Sequence, residues 1–376
     1  MNKKTNILAF KIEAYDYLSF EEQIKEKFPK STIIKFNPHS NAKVVYDSNL
    51  IENGDSFNFT SFYIKNRNLY YLFYPVIFFV DFFKIFFLLK KIKFKKKYDY
   101  FFTDNTYACV AFKLLNIKTN INVVYASHDW LAGTKGNGIW SYIGKNFIFI
   151  VCDYISCKNS FKVLNHTQSV QKLRNNYWKN NNFNQILYYP KIFLKKIDVK
   201  KTKIKNKILF LGLVRNESGL SYILKNLKKN FDQKKNLSLK IVGILNEETT
   251  NLLNNKTYSN FINSFGFGER NNFSELFSDC FCGLCLVTSS NSYTSNTIPS
   301  KVIDYIQYVI PEIATKNLGY TSDIIEKNKL GLLVENDLSN LMDQIDQIYI
   351  NQNIYKDHIS KYLSEYKYTN ISEIFI

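Results

Sequence analysis

Ile208-Leu-Phe-Leu-Gly212-Leu-Val-Arg215-Asn-Glu-Ser-Gly219-Leu220 is the stretch that decides the fold class. Four apolar residues in a row, closed by Gly212, are too short a run for a helix and predict a buried strand. A polar loop follows, and Gly219 hands over to a helix at Leu220–Leu227. Strand, glycine loop, helix is the start of a parallel βαβ unit, whose loops gather at the carboxyl ends of the strands. Such a loop aims backbone N–H groups and a helix N-terminus at one spot. That arrangement favours phosphate, and Arg215 adds a positive charge to it.

The same alternation runs outward on both sides. Ser238–Val242, Phe281–Val287 and Glu312–Thr315 read as strands, with helices at Asn272–Ser278 and Lys301–Tyr308. Gly331-Leu-Leu-Val-Glu335-Asn-Asp337 reads as a short buried strand leaving a turn. Toward the N-terminus, strands are expected at Asn6–Ile12, Ser31–Phe36, Tyr98–Thr103 and Asn122–Ser127, with helices at Ser19–Phe28 and around Ala108–Leu115. Residues 41–66 receive no element. The lysine-rich Lys191–Asn206 reads as a linker. The expected organisation is α/β with two Rossmann-like domains facing each other across a cleft. Residues 1–190 form the first, 191–206 the linker and 207–355 the second, and 356–376 form a helical tail turned back onto the first. Ligands of open parallel sheets bind beyond the carboxyl ends of the strands. Eight of the 13 glycines lie after position 205, mostly where strands end.

Composition narrows the function. With 45% hydrophobic and 22% charged residues the chain is globular, and 6 cysteines in 376 residues rule out a disulfide scaffold. The net charge is +18, and it is unevenly placed: residues 205–376 hold 18 Lys+Arg and 18 Asp+Glu, so 1–204 hold 50 − 18 = 32 basic and 32 − 18 = 14 acidic residues. A codon bias would spread lysine evenly, so the N-terminal half is expected to meet an anionic partner. Met1–Phe10 lacks the apolar core of a signal peptide, and a reducing, cytoplasmic setting is expected for the six thiols. Cys280-x-Cys282-x-x-Cys285 lies within an apolar run, and the four histidines show no ligand spacing, so no metal site is expected.

A second motif is Ser295-Asn-Thr-Ile-Pro299-Ser-Lys301-Val-Ile-Asp304-Tyr-Ile-Gln-Tyr-Val-Ile-Pro311. Pro299 suits the first turn of a helix. Val302, Ile303, Ile306 and Ile310 form the expected buried face, and Ser300, Lys301, Asp304 and Tyr308 the open one. Lys301 at the helix start can meet a phosphate, and Asp304 one turn on can accept hydrogen bonds from a ribose diol.

In this order and at these spacings the segments resemble the retaining glycosyltransferases of the GT-B fold, the large family with many lipopolysaccharide and capsule sugar transferases. The matching residues are the Gly212–Gly219 loop, Phe265-Gly266, Leu276-Phe-Ser-Asp-Cys280, Gly283–Val287, then Pro299, Lys301, Asp304, Tyr305 and Pro311, and Gly331-Leu-Leu-Val334. The likeness spans about residues 205–340. Departures are specific. Asn296 stands where the family has the first of two acids, Leu213 and Ser218 replace its basic loop residues, and Val309 replaces a small residue. Lys11-Ile-Glu-Ala-Tyr15 lacks the usual glycine-rich loop.

The resemblance implies transfer of a sugar from a nucleotide-diphosphate sugar, most simply a UDP-sugar, to a lipid-linked or saccharide acceptor. It implies a place in bacterial surface polysaccharide synthesis (lipopolysaccharide, O-antigen or capsule), retention of configuration, and no cofactor or metal; no Asp-x-Asp metal motif occurs in the chain. Donor contacts would come from Gly212, Arg215, Gly243, Phe265, Gly266, Asn296, Thr297, Ile298, Pro299, Ser300, Lys301 and Asp304. Catalytic roles fall to His128, Asp129, Arg215 and Lys301, because Val123-Val-Tyr-Ala-Ser-His128-Asp129-Trp130 looks like the family's strand ending in His-Asp. Cys152-Asp153-Tyr-Ile-Ser-Cys-Lys-Asn-Ser160 resembles its Asp-to-Ser strand, and Gly133, Gly136 and Gly138 suggest a loop closing over acceptor or sugar.

One further segment bears on location. Leu69–Leu89 is intensely apolar but carries Pro75, Asp81 and Lys84, and it leads into Lys90, Lys91, Lys93, Lys95, Lys96 and Lys97. An aromatic helix presenting Phe82, Phe83 and Phe86 beside a lysine cluster fits peripheral contact with the anionic inner face of a membrane, near the acceptor. The alternative is a domain helix with a solvated lysine end. Other readings of the whole chain are an inverting transferase or epimerase on the same fold, using Asp129 or Glu13 as base, and a non-catalytic partner subunit. Nucleic acid is not expected, since no binding motif accompanies the charge.

Overall fold

The computed structural model describes residues 5–12, 20–37, 56–60, 67–93, 96–116, 120–127, 146–179, 183–192, 194–195, 206–212, 214, 218–220, 222–224, 226, 237–245, 249–251, 254, 258, 261–266, 272–288 and 295–375. The chain divides into two compact units, residues 1–191 with 368–376, and residues 192–367.

The first unit is built on seven strands: β1 (Ile7–Ile12), β2 (Thr32–Asn37), β3 (Ser56–Thr60), β4 (Tyr100–Thr103), β5 (Asn122–Ser127), β6 (Lys162–Asn165) and β7 (Gln185–Leu187). Their order is β3-β2-β1-β4-β5-β6-β7, every pairing parallel. The order reverses between β1 and β4, which makes this the switch point of a doubly wound sheet. One sheet face packs Leu8, Phe10, Phe101 and Tyr125 under the helices Tyr74–Lys93, Thr106–Leu115 and Phe147–Asn159. The other packs Ile7, Ala9, Ile33 and Phe102 under the helix Phe20–Lys27 and the C-terminal Ile371, Ile374 and Phe375.

The second unit has six parallel strands, β8 (Lys207–Leu211), β9 (Ser238–Val242), β10 (Ile262–Ser264), β11 (Cys280–Cys285), β12 (Glu312–Thr315) and β13 (Gly331–Val334). Their order is β10-β9-β8-β11-β12-β13, with its own switch point between β8 and β11. Both faces are covered, so β9, β11 and β12 are buried at every position, as expected of parallel sheets.

Several expectations change. Strand β3 lies in the stretch that received no element; Ser56-Phe-Asn-Phe-Thr60 alternates for too few residues to stand out. Pro75 does interrupt the apolar segment: the helix Arg67–Leu72 ends ahead of it, and a separate helix, Tyr74–Lys93, holds it in its first turn, where its missing N–H has no intrahelical partner to lose. Cys152–Ser160 is not a strand, because residues 147–159 are helical and the strand follows at Lys162–Asn165. Asp153 is instead a buried helix residue paired with Arg174. The expected domain end at 355 falls inside the helix Leu341–Glu365, which bends at Asn351 and continues to pack Ile359, Tyr362 and Leu363 into the second unit. The chain rejoins the first unit at residue 368, where the Thr369 N–H donates to the Tyr189 carbonyl at 2.9 Å.

All six cysteines are buried and free. Cys280, Cys282 and Cys285 enter three different core clusters, so their sulfurs diverge. Burial pushes the Cys280 thiol up to about 12 and that of Cys285 up to about 11, which leaves both inert at neutral pH.

Candidate active site

The expected donor residues that are described gather at the carboxyl edge of the second sheet. Leu211 ends β8, and Gly212 takes φ +103°, a backbone region closed to side chains. The chain then runs alongside the segment leaving β9: the Gly212 N–H donates to the Val242 carbonyl at 2.9 Å, and the Val214 N–H to Ile244 at 2.9 Å. The two backbones lie so close that a Cβ on Gly243 would be 1.8 Å from the Gly212 oxygen. On its other side Gly212 faces open space, with nothing within 4 Å of where a Cβ would stand. A ligand can therefore approach main chain here. Phe265 and Gly266 follow β10 at the same edge, with the Phe265 N–H bonded to the Ile241 carbonyl at 2.9 Å. The Phe265 ring leans on the buried Lys240, whose Nζ is 5.4 Å from its centroid.

The second group of residues comes from the segment between β11 and β12. Pro299 is extended (φ −60°, ψ 139°) and caps the helix Ser300–Gln307 from outside rather than lying in its first turn. Ahead of it, 295–297 is held down by the loop after β12. Ser295 Oγ donates to the Asn317 carbonyl at 3.3 Å, and Thr321 Oγ1 donates to the Thr297 carbonyl at 3.0 Å. Ile298 packs into the core beside Val302 and Ile306. Asn296 and Thr297 are thus fixed next to the start of the helix.

Tyr305 anchors that helix to the sheet. Its hydroxyl accepts from the Leu211 N–H at 3.1 Å and donates to the Leu284 carbonyl at 3.1 Å. The ring lies flat over Gly283, where a Cβ would meet it at 2.8 Å. One anchor therefore ties the helix to the ends of β8 and β11 together. As a result Lys301 reaches across to β8, with Nζ 4.8 Å from the centre of the Phe210 ring, two residues before Gly212. The two motifs, some ninety residues apart in sequence, meet at this point.

The helix is more enclosed than its periodicity predicts. Every residue from Val302 to Gln307 is buried, and Tyr308 packs against Phe273 and Phe277 instead of lying on an open face. Asp304 is only 5% exposed, while Ser300 and Lys301 remain partly open. The reason is topological: the helix sits between the sheet and the chain that follows, so helical alternation alone misjudges its outer side.

His128, Asp129, Gly136, Gly138 and Arg215, named from the sequence, lie outside the described residues, as does Lys95. Of the residues expected at a membrane, Phe82 and Phe86 pack inward against the first unit's core. Lys93 donates to the Leu115 carbonyl at 2.6 Å and Lys96 to the Lys30 carbonyl at 2.6 Å. Phe83 and Lys97 face solvent. Sequence reasoning gave no role to Gly283 beyond its strand. The signal was a lone glycine inside an otherwise bulky strand, which marks close approach by another group.

Comparison with known proteins bears on the fold and on the second unit's sequence. Residues 192–366 match the sequence family described as glycosyl transferases group 1. Among curated proteins none matches the chain by sequence. Among solved structures, the sucrose-phosphate synthase of Thermosynechococcus elongatus superposes with a TM-score of 0.72 at 13% identity, covering 99% of this chain and 96% of that one. HepE of Anabaena, solved with UDP and glucose, gives 0.64 at 11% identity over 98% and 96%. The lipopolysaccharide outer core galactosyltransferase WaaB gives 0.56 at 12% identity over 94% and 95%. At such identities the structures speak for the fold, and the family match covers the unit that holds the site. With two doubly wound parallel sheets the chain has the GT-B fold, and the sequence of its second unit, residues 192–366, is similar to that of the group 1 glycosyltransferases.

Proposed function

We propose that the second unit binds a UDP-sugar and that the enzyme passes the sugar, with retention, to a lipid-linked or saccharide acceptor of a bacterial surface polysaccharide. One observation carries this reading: Lys301 is held over Phe210, beside the open backbone at Gly212. A diphosphate laid along that edge meets main-chain N–H groups and a fixed ammonium together. Arg215, three residues beyond Gly212 in sequence, would supply the second cation, and Asp304, although only 5% exposed, is the residue assigned to the ribose. HepE, of the same fold, was solved with UDP and glucose, which supports this class of donor.

In the proposed reaction the bond from the anomeric carbon to the β-phosphate oxygen breaks. The acceptor oxygen bonds to the same face of that carbon, and its proton passes to the departing phosphate. The protein's part is to position both partners and to stabilise charge on the diphosphate, for which two cations suffice without a resident metal. His128 and Asp129 would contact the sugar, and the acceptor would be presented at an anionic inner-membrane surface.

Binding of UDP and of uridine to Lys301→Ala tests the assignment. UDP should weaken at least about tenfold, the scale of one charge-assisted hydrogen bond, while uridine changes little. Equal weakening of both ligands would make Lys301 a structural residue. The anomeric configuration of the product by NMR decides retention.

A further inference from the structure

The helix Tyr74–Lys93 has an unusual arrangement of faces. Its buried row is Tyr74, Ile77, Asp81, Ile85, Leu89 and Ile92, of which the last three pack with Leu8, Phe10 and Phe101 of the first sheet. Its outward row is largely apolar: Val76, Phe79, Val80, Phe83 and Phe87 recur at helical spacing and are 42–60% exposed, with Lys84 the one exposed charge among them. At the C-terminal end this same outward row changes to Lys90 and Lys91, both exposed, with Lys97 exposed just beyond. A surface helix normally shows water a polar face, and a helix apolar all round is normally enclosed. This one is neither.

Further exposed apolar residues lie on the two helices next in line. Thr106–Leu115 packs beside Tyr74–Lys93, the Phe78 ring meeting Tyr107 at 4.8 Å, and Phe147–Asn159 packs beside that in turn. Leu114, Phe147 and Val151 are exposed on these two neighbours. Exposed apolar surface on this scale marks an interaction site.

We infer that this three-helix face docks on an anionic phospholipid surface, with Tyr74–Lys93 lying in the plane of the interface. Phe79, Phe83 and Phe87 enter the headgroup–acyl boundary, and Lys90, Lys91 and Lys97 pair with lipid phosphates. The inference rests on the membrane-surface part of the reading above and replaces the contacts expected from sequence, since Phe82, Phe86, Lys93 and Lys96 are engaged within the protein. Charge selects lipid as the occupant: the entire +18 lies in residues 1–204, and an apolar stripe ending in lysines is the complement of an acidic bilayer surface. No helix among the described residues is long and apolar enough to cross a membrane, and in-plane docking requires none.

Co-flotation of the full chain tests this, with vesicles of phosphatidylcholine alone and of phosphatidylcholine mixed with phosphatidylglycerol, at low and high salt. The wild type should float with the mixed vesicles. Phe79→Ser, Phe83→Ser and Phe87→Ser combined should abolish flotation at every salt while leaving UDP binding intact and the protein folded in a thermal scan, because more than half of each side chain stays in water until docking. Lys90→Gln, Lys91→Gln and Lys97→Gln combined should weaken partition into the anionic vesicles by about a hundredfold, with little effect on neutral ones. A wild type that stays out of anionic vesicles at low salt overturns the inference, as does a phenylalanine variant that floats like wild type. A wild type that sediments as a dimer without floating, made monomeric by the same substitutions, overturns it in favour of a second copy of this chain. Failure of UDP to bind any of these proteins, with flotation as expected, would count against the donor reading alone.

Discussion

The ring of Tyr305 rests on Gly283 so closely that a methyl group there would stand 2.8 Å from its carbons. This contact fixes the helix carrying Lys301, so its loss should reach the proposed donor site. Gly283→Ala should destabilise by about 1–3 kcal/mol, the usual cost of overfilling a packed core. Tyr305→Phe keeps the ring but strips the partner from the buried Leu211 N–H, at a cost of about 1–3 kcal/mol. Both variants should also bind UDP more weakly than wild type. Urea unfolding and calorimetric UDP titration check the pair, and unaltered UDP affinity in both would show that the anchor does not set the position of Lys301.

Val309 predicts a gain rather than a loss. It is β-branched yet sits at φ +53°, where such residues are strained, just after the helix Ser300–Gln307. Val309→Gly removes strain on the order of 1–3 kcal/mol and gives up only part of a half-buried side chain. Val309→Ala gives up the packing and keeps most of the strain. Glycine should therefore melt above alanine, and at or above wild type. The reverse order of the two variants in a thermal scan would show that the packing of Val309 outweighs its backbone.

The parallel α/β organisation of the two units was legible in much of the sequence, for a physical reason. Buried parallel strands such as Ile208–Leu211 and Glu312–Thr315 are short apolar runs closed by glycine or polar residues, and their ends fall where predicted. Segments whose burial depends on distant partners were not legible. Ser56–Thr60 and Gln185–Leu187 carry little apolar character of their own and are strands through their neighbours. Asp304 and Tyr308 show the same limit at the site, since helical alternation supposes one wet side and this helix has scarcely any. On Tyr74–Lys93 the error ran the other way: Phe82 and Phe86 look identical to Phe83 and Phe87 in sequence, and only the direction of the sheet separates them.

Glu312 makes stability depend on pH. It opens β12, is wholly buried, and neither carboxylate oxygen has a hydrogen-bond partner among the described residues. Burial raises its pKa well above the ordinary value, and the charge of Lys301 offsets this only in part. The folded protein therefore holds a proton that the unfolded chain releases above about pH 4.3–4.5. The resulting stability is complete below that pH and declines as pH rises toward the folded pKa, by about 1.4 kcal/mol per pH unit. Glu312→Gln, which cannot ionise, should lack this slope, so its advantage over wild type should be larger at pH 8 than at pH 5. Chemical denaturation at the two values checks this, and parallel curves for the two proteins would mean that Glu312 is ionised in the fold.

The buried ion pair in the first unit gives the last prediction. Arg174 and Asp153 are both closed to water, with Nε 3.2 Å from Oδ2 and Nη2 3.1 Å from Oδ1. Tyr125 donates to Asp153 at 2.9 Å, and Asn165 accepts from Arg174, so the charges are hydrogen-bonded on all sides. Taking such a pair out of water costs nearly as much as its attraction returns, whereas stranding one member is severe. Asp153→Ala alone should therefore lose about 3–5 kcal/mol, because it leaves the guanidinium buried without a counter-charge. Asp153→Leu combined with Arg174→Met removes both charges at similar volume and should recover most of that loss. If the double variant is as unstable as the single, the pair stabilises the fold through its specific hydrogen bonds and not merely by neutralising a buried charge. A double-mutant cycle in urea, with Tyr125→Phe as a third corner, separates the two.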